Sequence, residues 1–94
     1  MNNYVLLYST RFKKDYKKFA NQPEKIEAIK NTLKILFQDG KAAIPTTMRP
    51  HKLSGNYKGC WECHILPDLL LIWEQYEVEK EILLIRIGNH SELF

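Results

Sequence analysis

Ninety-four residues and 11.1 kDa suit one domain spanning residues 1–94, because a chain this size buries about two-thirds of its unfolded surface without staples. No apolar run approaches the roughly 20 residues of a bilayer span, and two cysteines do not make a disulfide scaffold. Charge is divided: residues 1–58 carry twelve Lys/Arg against four Asp/Glu, a formal +8, and residues 59–94 carry two against seven, a formal −5. Such asymmetry fits a polyanionic or acidic partner for the basic part, although a solvated basic helix face looks the same.

Tyr4 to Tyr8 is rich in β-formers and predicts a first strand. Ser9 or Thr10 then caps a helix in which Phe12, Tyr16, Phe19 and Ala20 recur at helical spacing and face the core, with Arg11, Lys13, Lys14, Lys17 and Lys18 outside. Pro23 suits the first turn of a second helix, whose apolar stripe is Ile26, Ile29, Leu33, Leu36 and Phe37 and whose terminator is Gly40. Joined by Asn21-Gln22, the two helices form an antiparallel hairpin. Ala42 to Pro50 reads as a connecting loop.

Three strands follow, near Lys58–Leu66, Leu69–Tyr76 and Glu81–Ile87, with turns at Pro67-Asp68 and at Glu77 to Lys80. The last two hold near-continuous apolar runs and so belong in the middle of the sheet. The order β-α-α-β-β-β predicts an α+β fold with the helix hairpin on one face of a small, mainly antiparallel sheet.

All three histidines, His51, His64 and His90, follow the helices. Along an extended strand Glu62 and His64 share one face while Trp61, Cys63 and Ile65 take the other. A meander can therefore gather His64, Asp68, Arg86 and His90 at one sheet end. Imidazole ordinarily titrates near pH 6.5, so it can accept or donate a proton close to neutrality. These are the residue types that RNA cleavage by a ribose 2′-hydroxyl needs: a base, an acid, and a cation for the phosphate. That chemistry calls for no metal or other cofactor. Any one histidine alone is more often a satisfied structural imidazole.

Cys60-Trp61-Glu62-Cys63-His64 has the C-x-x-C-H spacing of haem attachment. On a strand, however, the two thiols project to opposite faces, which disfavours haem, a mutual disulfide and a zinc site alike. Two small buried side chains are expected instead.

Three stretches in order carry a family resemblance: His51-Lys52-Leu53-Ser54-Gly55, then Glu62-Cys63-His64-Ile65-Leu66-Pro67-Asp68, then Gly88-Asn89-His90-Ser91-Glu92-Leu93-Phe94. Together they closely resemble the YafQ-type branch of the RelE/ParE toxin superfamily. The resemblance implies the RelE-like fold and a toxin of a type II toxin–antitoxin system: a ribosome-dependent mRNA endonuclease, held inactive by a cognate antitoxin. It implies functional roles for His51, His64, Asp68, His90 and Phe94, and cleavage that leaves a 2′,3′-cyclic phosphate and a 5′-hydroxyl. On that pattern His90 is the general acid, Asp68 or His64 the base or its orienting partner, and His51 the residue that positions the phosphate. Arg86 would offset phosphate charge, Phe94 would stack or close the site, and Lys52 and Lys58 would contact RNA. Leu69 stands where some members carry an aromatic residue.

The expected partners are thus an antitoxin, the ribosome and mRNA, with no membrane, haem or zinc. The first residues, Met1 to Tyr8, lack a basic segment and a small-residue cleavage site, so a cytoplasmic location is expected. Two other readings fit the same fold: a ParE-like inhibitor of gyrase that acts by contact alone, and a plain RNA-binding module built on the basic helix.

Overall fold

The computed structural model describes residues 3–94. Strand β1 (Val5–Tyr8) runs into helix α1 (Thr10–Lys17) across Ser9. The Ser9 hydroxyl accepts the Phe12 N–H at 3.0 Å, satisfying one of the free donors of the first turn. Helix α2 (Pro23–Asp39) starts on a proline and stops at Gly40, whose φ of +69° a side chain would strain. Two short 3-10 turns, Gly40–Ala43 and Thr46–Met48, lead to strand β2 (His51–Lys52), and a third, Gly55–Tyr57, precedes β3 (Trp61–Leu66). Strands β4 (Leu69–Tyr76) and β5 (Glu81–Gly88) and the one-turn helix α3 (His90–Leu93) follow.

The sheet order is β1-β5-β4-β3-β2, with β1 parallel to β5 and every other pair antiparallel. The apolar runs of β4 and β5 do lie inside the sheet. One face is covered by the helices: Phe12, Phe19, Ile29 and Leu36 pack with Cys63, Leu71, Trp73, Ile82 and Leu84. Leu70 and Ile72, on alternate positions of β4, face the other side and pack with Cys60 and Leu93. Central β4 is therefore buried on both faces, which explains its unbroken apolar sequence.

Two irregularities shape that second face. The β3–β4 register shifts between His64 and Leu66. In β5 the register jumps, with Leu84 opposite Trp73 but Arg86 opposite Ile72. Strict alternation from Ile82 and Leu84 would have turned Arg86 toward the helices. The extra residue, Ile85, sends it to the opposite face.

Several details differ from the expectation. Strand β3 starts at Trp61, not Lys58, because Gly59 (φ +88°) turns the backbone and closes the loop between Leu53 and Cys60. Helix α1 ends at Lys17, so Phe19 is buried from the interhelical turn and Ala20 is exposed. Phe37 lies on the solvent side of α2, and Thr32 takes a core position by donating its hydroxyl to the Ala28 carbonyl at 3.0 Å. The Ala42–Pro50 connection contains two helical turns pinned by buried Ile44. Among the described residues no helix is long and apolar enough to cross a membrane.

Candidate active site

The face away from the two long helices carries an open cleft of about 680 Å³, lined by His51, Glu62, His64, His90 and Phe94, with Arg49 among the other residues around it. Strand pairing builds its centre. Register sets His51 of β2 directly opposite Glu62 of β3, so both side chains share a face. His51 Nε2 lies 3.1 Å from Glu62 Oε1, and His64 Nε2 lies 3.9 Å from the same oxygen. The other ring nitrogen of His51, Nδ1, is 2.7 Å from the Arg49 carbonyl. The ring is thus held between the Glu62 carboxyl group on one side and the Arg49 carbonyl on the other.

Glu62 is only 4% exposed, and its Oε2 is buried with no hydrogen-bond partner among the described residues. Leaving a buried acceptor unmatched costs about 1–3 kcal/mol. Such a group within reach of two imidazoles is what a proton-transfer site requires and a stable core avoids.

His90 arrives by a different device. Asn89 and Glu92 form a reciprocal capping box, the Asn89 side chain accepting the Glu92 N–H at 2.8 Å and the Glu92 carboxylate accepting the Asn89 N–H at 2.9 Å. This fixes the first turn of α3 and holds the His90 ring at the cleft. Asp68 Oδ1 accepts the His90 backbone N–H at 3.3 Å. Phe94, half exposed, packs with its centroid 5.1 Å from that of His90 and meets Tyr57 edge-on at 5.6 Å.

Four residues named from the sequence lie elsewhere. Asp68 lines an adjoining hollow with Lys18, Phe19 and Lys25, so its link to the cleft runs through the His90 backbone. Arg86 reaches the correct face, but its guanidinium is taken by buried Asp15, Nε to Oδ2 at 2.7 Å and Nη2 to Oδ1 at 3.1 Å. Lys52, opposite Trp61 in the ladder, lies with its Nζ 5.5 Å from that ring on the helix side of the sheet, where Lys41 also sits at 4.7 Å. Lys58 is exposed in the loop before β3 and does not line the cleft.

Three residues carry more than their sequence context suggests. Alternation alone puts Glu62 on the face of His64, but only the β2 pairing brings His51 to it. Arg49, held in a left-handed conformation (φ +55°), is the guanidinium that lines the cleft. Asp15 has a visible signal, an acid within an otherwise apolar helix stripe. The two cysteines are free and lie in different clusters, Cys63 toward the helices and Cys60 on the cleft side, as alternation requires. Leu69 is fully buried beneath the helices and presents no surface for stacking.

Residues 4–94 match the family described as "Bacterial toxin of type II toxin-antitoxin system, YafQ". The chain belongs to that family. It is 28% identical to the mRNA interferase toxin YafQ of Escherichia coli K12 over 87 residues, covering 93% of this chain and 91% of that one. The crystal structure of YafQ from E. coli BL21(DE3) superposes with a TM-score of 0.85 at 25% identity, over 97% of this chain and 98% of that one. YafQ in the E. coli DinJ–YafQ toxin–antitoxin complex gives 0.83 at 26%, over 98% of each chain. A metal-bound toxin from Helicobacter pylori gives 0.82 at 30%, over 97% and 99%. Among the described residues of the present family member, no three His, Cys, Asp or Glu side chains are grouped closely enough to hold a metal ion.

Proposed function

We propose that this family member is a ribosome-dependent mRNA endonuclease that cleaves RNA by attack of a ribose 2′-hydroxyl on the adjacent phosphate. The observation that carries the reading is three imidazoles and one buried, half-satisfied carboxylate converging on a single open cleft. Glu62, or His64 beside it, takes the 2′-hydroxyl proton as the 2′-oxygen bonds to phosphorus. The P–O5′ bond breaks and His90 protonates the departing 5′-oxygen, leaving a 2′,3′-cyclic phosphate and a 5′-hydroxyl. His51 and Arg49 hold the phosphate and offset charge growing on it. Phe94 offers its exposed ring to a base. Asp68 orients His90 through its backbone, so the base role passes from Asp68 to the Glu62–His64 pair. An enzyme that needs ribosomes and mRNA acts in the cytoplasm.

The antitoxin has a candidate seat on the opposite face. A groove of about 480 Å³ between β1, α1 and α2 has an apolar lining of Tyr8, Phe12, Tyr16 and Leu33 and carries Lys13, Lys17 and Lys30. An acidic amphipathic segment is the complementary occupant, and the E. coli relative was solved with its antitoxin DinJ.

Primer extension on a defined mRNA in a translation extract tests the activity. Wild type should give sharp cuts that require ribosomes, and His90→Ala should lose them by roughly 10²–10⁴-fold. Intact mRNA with folded wild type, or cleavage unaffected by His90→Ala, would sink the assignment.

A further inference from the structure

An acid in the apolar stripe of an amphipathic helix is costly unless it is paired. Asp15, 4% exposed, is bound three times over: by Arg86 Nε and Nη2, and by the backbone N–H of Ile87 at 3.1 Å. The last bond has a topological cause. Strand β1 ends opposite Leu84, so among the described residues the outer edge of β5 beyond it has no strand neighbour. Ser9 donates to the Ile85 carbonyl at 2.9 Å and Asp15 accepts from Ile87, and together they replace the missing ladder.

Arg86 then crosses to the cleft side with one amine left over. Its Nη1 lies 3.4 Å from the Tyr57 hydroxyl. The Tyr57 ring meets Phe94 edge-on, and Phe94 packs against His90. The Asp15 contact also raises the already high Arg86 pKa, so the cation in this chain is permanent. We propose that Asp15, on the helix face of the sheet, is a positioning residue for the cleft, acting through Arg86 and Tyr57 to hold Phe94 against His90. This rests on the ribonuclease reading of the cleft, and it makes Arg86 a strut where the sequence suggested a phosphate ligand.

The test uses Asp15→Asn, Tyr57→Phe and the double variant, with His90→Ala as a control. Tyr57→Phe keeps the ring and removes only the hydroxyl, so it folds even if Asp15→Asn does not. Each single change should lower kcat by about 2–12-fold, the range of one aromatic contact, with little change in KM. The double variant should be no worse than the poorer single, because both break one chain of contacts. In NMR spectra of the folded variants the His90 ring-proton resonances should shift as Phe94 loses its place. Multiplicative effects on kcat overturn the proposal, as do unshifted His90 resonances in Tyr57→Phe. If His90→Ala cleaves normally, the ribonuclease reading fails by itself while the resonances still decide the strut.

Discussion

The carboxylate of Glu62 stands 3.1 Å from the imidazole of His51 across the β2–β3 ladder, and its second oxygen is buried without a partner among the described residues. Replacing this group by Gln keeps its shape and removes its charge. Because a neutral amide is less costly to bury than a half-satisfied carboxylate, Glu62→Gln should melt at or above the wild-type temperature. Cleavage should fall at least about 10-fold, since the site loses its base or the partner of its base. Thermal melting and single-turnover cleavage on the same preparations check both halves. A lower melting temperature with unchanged cleavage would make Glu62 purely structural.

The two arginines should separate cleanly. Arg49 lines the cleft on an exposed turn, so Arg49→Ala should raise KM for RNA and reduce the salt slope of binding by about one, with the fold intact. Arg86 and Asp15 are 11% and 6% exposed at their side chains. Removing one partner of a buried pair costs about 3–5 kcal/mol, so Arg86→Ala should show its main effect in a denaturant titration.

The long elements are legible in the sequence because each repeats its own period: 3.6 along α2 and two along β3, or a continuous apolar run where β4 is covered on both faces. The site is harder to read because its parts are short or irregular. Strand β2 is two residues long, too short for alternation, yet it alone brings His51 to Glu62. Helix α3 is a single turn, and its only signal is the Asn89-x-x-Glu92 box. The β5 bulge reverses the face of Arg86, and nothing in Leu84-Ile85-Arg86 announces it. His64 and His90 can be named from the sequence; the carboxylate between His51 and His64 needs the ladder.

Neither cysteine should react in the folded protein. Burial, and after it the charge of Glu62, pushes the Cys63 thiol up to about 12, and burial raises Cys60 as well. Since the thiolate is the nucleophile, little of it exists at about pH 8. Iodoacetamide followed by mass spectrometry should find both thiols unmodified in native buffer and both modified in denaturant. Rapid native labelling of Cys63 would mean that β3 opens readily from under the helices.

The groove on the helix face allows a test of antitoxin docking that separates charge from apolar contact. Lys13 and Lys17 are one turn apart on α1, and Tyr8 lies half exposed beside Phe12 with ring centroids 5.9 Å apart. Reversing both lysines to Glu sets like charges against an acidic segment, so the antitoxin should dissociate faster and bind at least about 10-fold more weakly, with a flatter salt dependence. Tyr8→Ala removes apolar contact instead, so it should weaken binding while leaving the salt dependence as it was. Titration calorimetry at two salt concentrations measures both. Lys14 projects from the same helix but does not line the groove, so Lys14→Glu is the control for overall charge. If Lys14→Glu weakens the complex as much as Lys13→Glu, attraction to the basic half as a whole, and not this groove, recruits the antitoxin.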